Sequence, residues 1–130
     1  MSKTIAFDFD GVLHSYVSGW TGPVPTDPPV PGAVEAIHKY LDEGYSVVIL
    51  TTRAETDEGL EGTKNWLREN GFPPLTVTFH KVPAIAYIDD RAVHFDPFNH
   101  DWEKVHADVA KIDSRPRRTP NELTKGWAWD

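Results

Sequence analysis

Cysteine is absent from all 130 residues, which removes disulfide scaffolds, thiolate metal sites, iron–sulfur clusters and cysteine nucleophiles. The cytoplasm is the compartment expected of such a chain. Long hydrophobic runs are also missing. None approaches the roughly 20 apolar residues that a bilayer-spanning helix needs, and Met1-Ser2-Lys3 leads into a short run that Asp8 interrupts, unlike a signal peptide. Neither membrane insertion nor secretion is expected. Positive charge is in deficit, 13 Lys and Arg against 20 Asp and Glu for a net charge of −7. Broad adhesion to duplex nucleic acid therefore has little support, although a local basic patch can still guide a strand. What remains is 39% hydrophobic and 25% charged with five tryptophans, a composition that buries a core in a single globular domain.

Thr4 to Phe9 is short and apolar and stops at Asp10-Gly11, the pattern of a buried strand ending in a functional loop. Residues 14–31 hold five of the eleven prolines, with Gly19 and Gly22 among them, so neither a continuous helix nor a central strand fits and a long, flap-like loop is expected. From Gly32 onward Val34, Ile37, Tyr40 and Leu41 share one helical face, and Gly44 supplies the end. Tyr45 to Leu50 reads as a second strand, and Asp57 to Asn70 as a helix through Leu60, Thr63 and Leu67, its first turn weakened by Gly59 and Gly62. Leu75 to Phe79 and Ile85 to Ile88 read as strands, Ala92 to Phe95 as a short fifth one, and Trp102, Val105, Val109 and Ile112 mark a last helix. Strands alternating with helices predict an α/β fold, a Rossmann-like, mostly parallel sheet with helices on both faces. The core is expected over residues 1–112, with 113–130 as a Pro- and Arg-rich tail.

Three of these strands end in polar residues suited to phosphate and a hard cation, and in a parallel sheet such ends lie along one ligand-binding edge. Asp8 and Asp10, two apart, leave the strand on the same side. Asp89 and Asp90 add two more carboxylates. Four carboxylates brought together repel unless a divalent cation intervenes, and oxygen-only ligands suit Mg²⁺.

Phe7-Asp8-Phe9-Asp10-Gly11-Val12 resembles the first motif of the haloacid dehalogenase (HAD) superfamily of phosphohydrolases. Val48-Ile49-Leu50-Thr51 matches the second motif, Lys81 is the candidate for the third, and Tyr87-Ile88-Asp89-Asp90 matches the fourth. The resemblance implies a Mg²⁺-dependent phosphomonoesterase in which Asp8 attacks phosphorus to form an aspartyl-phosphate and Asp10 serves as general acid and base. Thr51 and Lys81 would hold the phosphoryl oxygens, assisted by Gly11, Thr52, Arg53 and Arg91. The metal would sit between Asp8, the backbone carbonyl of Asp10 and a carboxylate of Asp89 or Asp90, with Asp89 favoured. The Asp89-Asp90-Arg91 run resembles polynucleotide 3′-phosphatase domains within the superfamily, and it implies a nucleic-acid end as substrate. With about 20 residues between the first motif and the first helix, no cap domain is expected.

One feature strains this match. Family members place a helix between the third and fourth strands, whereas Phe79 and Ile85 are separated by five residues, and a parallel crossover ordinarily takes about a dozen or more. The expectation is therefore that Leu75–Phe79 is antiparallel or irregular, or lies outside the sheet with Lys81 reaching the site from a loop; Lys64 and Arg53 are the substitutes for Lys81. A receiver domain uses similar residues but puts its acidic pair first, the reverse of the order here. A small-molecule or nucleotide phosphatase stays open, as does a catalytically silent phosphate-binding module on the same fold, which intact Asp8 and Asp10 disfavour. The spacing of His94, His100 and His106 does not stack metal ligands on one helical face, and His14, three residues beyond Gly11, is expected on the surface of the loop, with a place bordering the active site as the alternative.

Overall fold

The computed structural model describes residues 3–115; the tail side chains Arg117, Arg118, Trp127 and Trp129 lie outside them. The strands β1 (Thr4–Asp8), β2 (Ser46–Leu50), β3 (Thr76–Thr78) and β4 (Ala86–Ile88) form one sheet in the order β3-β2-β1-β4. Every pairing is parallel, the α/β architecture expected.

Alternation along the strands decides what each face does. Ile5, Phe7, Val47 and Ile49 point to one side and join Ala33 and Ile37 of α1 (Ala33–Asp42) and Trp66, Leu67 and Phe72 of the α2 region in a single core cluster. Helix α2 (Asp57–Glu69) begins where the Thr56 hydroxyl accepts the Gly59 amide at 3.0 Å, with Asp57 and Glu58 in its first turn, so cap and helix dipole agree. Its buried stripe is Gly59, Gly62, Thr63, Trp66 and Leu67, rotated from the Leu60 face expected because Trp66 takes the core position. Helices α1 and α2 thus share one face. The other face, for which helical cover was also expected, turns Ala6, Leu50 and Tyr87 toward an open cavity. Helix α3 (Trp102–Asp113), capped by Asp101, buries none of its residues.

Two further expectations are corrected. The segment from Ala92 to Phe95 forms no strand: the Asp89 carboxylate accepts the Arg91 amide at 2.8 Å and turns the chain out of the sheet, where Phe95 packs on Trp102 at 4.9 Å. The second concerns β3 and β4, which are parallel members of the sheet although only residues 79–85 join them. The register shows why this is feasible. Thr78 is level with Leu50 and Asp8, while Ala86 is level with Ile5, three positions back. With strands this short, the return is about 10 Å along the strand and about 14 Å across three strand spacings. The diagonal of about 17 Å lies within the roughly 26 Å that eight extended steps can span. No helix is needed, and Lys81 sits on the crossing segment.

Candidate active site

Strands β1 and β4 are neighbours, and Phe7 pairs with Ile88, so Asp8 and Asp89 leave the sheet at the same level. Asp8, Asp89 and Asp90 each offer a carboxylate oxygen, all within 4.8 Å of one another. Burial, and then the adjacent Asp89 carboxylate, push Asp8 from 3.8 up to about 8; the Phe9 amide opposes the shift, and Asp90 adds charge and a hydrogen bond to it. Three acidic groups so placed repel one another, which favours the protonated form of Asp8.

The carboxylate of Asp10 is not part of this cluster. Its Oδ1 accepts from His14 Nδ1 at 2.7 Å and from Arg53 Nε at 3.1 Å, and its Oδ2 accepts from the same Nε at 3.0 Å. The metal contact expected of Asp10 involves its backbone carbonyl, which these side-chain bonds leave untouched. Its side chain still borders the cavity, a cleft of about 1300 Å³ that Asp8, Thr51, Thr52, Lys81, Asp89, Asp90 and Arg91 also line. Thr51 caps the 3₁₀ turn Thr52–Glu55: its Oγ1 accepts the Arg53 amide at 3.2 Å, leaving the hydroxyl hydrogen to donate. Lys81 rests its ammonium 4.9 Å from the centre of the Tyr87 ring.

Two residues expected to bind substrate are otherwise engaged. The Arg53 side chain is 1% exposed and does not line the cavity. Its Nη1 donates to the carbonyls of Gly22 (2.8 Å) and Pro23 (2.9 Å), and its guanidinium lies 4.7 Å from the Trp20 ring centre. Gly11 spends its amide on the His14 carbonyl at 2.8 Å. Lys64, the substitute for Lys81, is an exposed residue of α2 remote from the cavity.

The favoured surface position of His14 is corrected, and the alternative, a place beside the site, is what the structure shows. His14 is 1% exposed rather than a surface residue, because three successive amides, Val12, Leu13 and His14, all converge on the Phe9 carbonyl and coil the chain into a helix-like turn. Four-residue spacing then brings His14 beneath Asp10, as it would on a helix; that spacing was the available signal. The loop that follows is pinned at many points. The Asp27 carboxylate accepts the Ser18 amide (2.9 Å) and hydroxyl (2.7 Å), and its carbonyl accepts Trp66 Nε1 at 2.7 Å. Tyr16, at φ 60°, and Trp20 thereby become one wall of the cavity.

Residues 5–106 match the family described as "PITM 1-3, LNS2 domain", a HAD-like fold. Among solved structures, that of a conserved protein coded by a locus from Bacteroides thetaiotaomicron is similar in fold, with a TM-score of 0.56 and 24% identity over 85% of this chain and 92% of that one. No curated protein matches the chain.

Proposed function

The chain belongs to the LNS2-domain family, a HAD-like phosphatase fold, and from that premise we propose that it is a Mg²⁺-dependent phosphomonoesterase working through an aspartyl-phosphate on Asp8. The observation that carries the reading is the meeting of Asp8, Asp89 and Asp90 beside Thr51 and Lys81 on one cavity. Three hard oxygen donors within 4.8 Å of one another fit a small divalent cation, and a cation held there would offset the burial and the neighbouring carboxylates that raise Asp8. Bound among them, Mg²⁺ supplies the positive charge that lets an anionic nucleophile meet an anionic phosphate.

The rest is done by the chain. A carboxylate oxygen of Asp8 forms the new bond to phosphorus while the bond to the leaving oxygen breaks, and Asp10 gives that oxygen a proton. In the second half Asp10 takes a proton from the water that attacks the phosphoenzyme, restoring Asp8 and releasing phosphate. The Thr51 hydroxyl and the Lys81 ammonium hold the nonbridging oxygens, because positioning and charge are most of what phosphoryl transfer requires.

For the leaving group we favour a nucleic-acid end. Trp20, Phe79 and Tyr87 line the cavity together with Lys81 and Arg91, a combination of aromatic platforms and cations that suits stacked bases and a phosphodiester backbone. Hydrolysis of p-nitrophenyl phosphate with and without Mg²⁺ tests the core of the proposal. Turnover that needs the metal and vanishes in a folded Asp8→Asn variant is expected; undiminished turnover in that variant would end the covalent reading.

A further inference from the structure

We infer that His14 is a positioning residue for Asp10, holding one oxygen of its carboxylate so that the other, Oδ2, does the proton transfer. This rests on the phosphatase reading above and extends it to a residue outside the four motifs.

The position of the imidazole hydrogen follows from its neighbours. Nε2 of His14 lies 3.0 Å from the Asp27 backbone nitrogen, which can only donate. Nε2 is therefore the acceptor, and the ring hydrogen belongs on Nδ1, 2.7 Å from Asp10 Oδ1. Turning the ring over would put carbon in place of both nitrogens and lose both bonds. Phe9 stacks on it at 5.2 Å, and Trp66 meets it edge-on at 5.4 Å. Asp27, which sets the tautomer, is itself fixed through its carboxylate by Ser18 and through its carbonyl by Trp66.

Donor counting gives the consequence. Asp10 Oδ1 takes the His14 Nδ1 hydrogen and a share of the single Arg53 Nε hydrogen, which is divided between the two oxygens, while Oδ2 takes only its share of that hydrogen. Oδ2 keeps the spare lone pair, so it is the atom able to carry the proton to a leaving oxygen and to take one from water. Rotation of the carboxylate would break the His14 bond. The two edges of the ring thus have separate jobs, Nε2 in holding the loop and Nδ1 in fixing the acid–base group.

Two substitutions separate those jobs. His14→Gln leaves an acceptor near the Nε2 position and nothing at Nδ1, whereas His14→Asn leaves an amide donor near Nδ1 and gives up the Asp27 contact. Each is assayed with Mg²⁺ on a simple alkyl phosphate, whose leaving group needs a proton, and on p-nitrophenyl phosphate, whose leaving group departs without one. For His14→Gln the alkyl phosphate kcat is expected to fall about a hundredfold with KM within about twofold, the loss typical of a misplaced catalytic group. The pre-steady-state burst of nitrophenol should stay near the wild-type rate, and His14→Asn should recover most of the alkyl phosphate activity. Equal losses on both substrates in both variants, or no loss in His14→Gln, would overturn the inference while leaving the phosphatase reading intact. A wild-type protein inactive on both substrates would remove the parent reading and this one with it. Nitrogen NMR of the wild-type ring is independent of variant folding: hydrogen on Nδ1 supports the inference, and hydrogen on Nε2 refutes it.

Discussion

Asp8 meets two opposed demands. A nucleophile must be ionised, yet burial and the Asp89 and Asp90 charges push its carboxyl up to about 8, far above the 3.8 of an unfolded chain. The pH dependence of stability takes its sign from this difference. A carboxyl held protonated by the fold takes up a proton on folding across the interval between the two values, so stability falls as pH rises from about 4 to about 8 and levels off above. We expect the Tm of the metal-free protein to drop across that window, Asp8→Asn to flatten the drop, and saturating Mg²⁺ to reverse it at pH 8, since a ligand that binds only the folded state stabilises it. A Tm that is level across the window, with and without Mg²⁺, would contradict the assignment. Asp8, Asp89 and Asp90 were legible in the sequence because each stands at or just after the end of an apolar run that could only be a strand. His14 was legible only as a four-residue spacing from Asp10, because its burial depends on three amides converging on one carbonyl, a local turn that hydrophobic periodicity does not announce. Arg53 misled for a related reason: proximity to Thr51 in the chain suggested phosphate, but the loop carbonyls and Asp10 claim its donors first.

At the scale of elements, α2 does more than cover the sheet. The glycines that weaken its first turn by propensity are the residues that let it come close. A Cβ on Gly59 would stand 2.0 Å from the Arg53 carbonyl oxygen, and one on Gly62 would stand 2.9 Å from a methyl of Val24. The first obstacle is backbone, the second a side chain of the loop. Gly59→Ala should therefore destabilise by about 2–3 kcal/mol or more and also disturb Arg53, lowering activity; Gly62→Ala should cost about 1 kcal/mol. Thermal denaturation of both variants checks this, and a neutral Gly59→Ala would mean that the helix can shift away from the 3₁₀ turn. The same scale explains the misreading of the β3–β4 connection. The rule that parallel strands need a long crossover assumes full-length strands, and here strands of three residues leave a return of only three positions. Strand length was the quantity the sequence left open, since the apolar runs extend past the paired residues.

For the whole molecule, the arrangement of layers bears on substrate size. Helices α1 and α2 cover one face of the sheet, and the walls of the cavity on the other come from the loop after β1 and the β3–β4 connection. The loop is fastened by Arg53, His14 and Trp66 rather than hinged, which leaves the mouth of the cleft open to a phosphate on a bulky carrier. A net charge of −7 works against a polyanion at long range, so attraction must be local, through Lys81, Arg91 and aromatic stacking. Each stacked base contributes about 1–3 kcal/mol, and one base beyond the terminal nucleotide would raise kcat/KM by roughly 5- to 150-fold. An oligonucleotide 3′-phosphate should accordingly be a better substrate than the free 3′-mononucleotide under the same Mg²⁺ and salt. With two cations in reach, the preference should weaken only gently with salt, a logarithmic slope of about −1.4 for a single strand. Trp20→Ala should reduce the oligonucleotide rate more than the mononucleotide rate. A clear preference for the mononucleotide would mean instead that the loop closes over its substrate and that the phosphate acted on belongs to a small molecule.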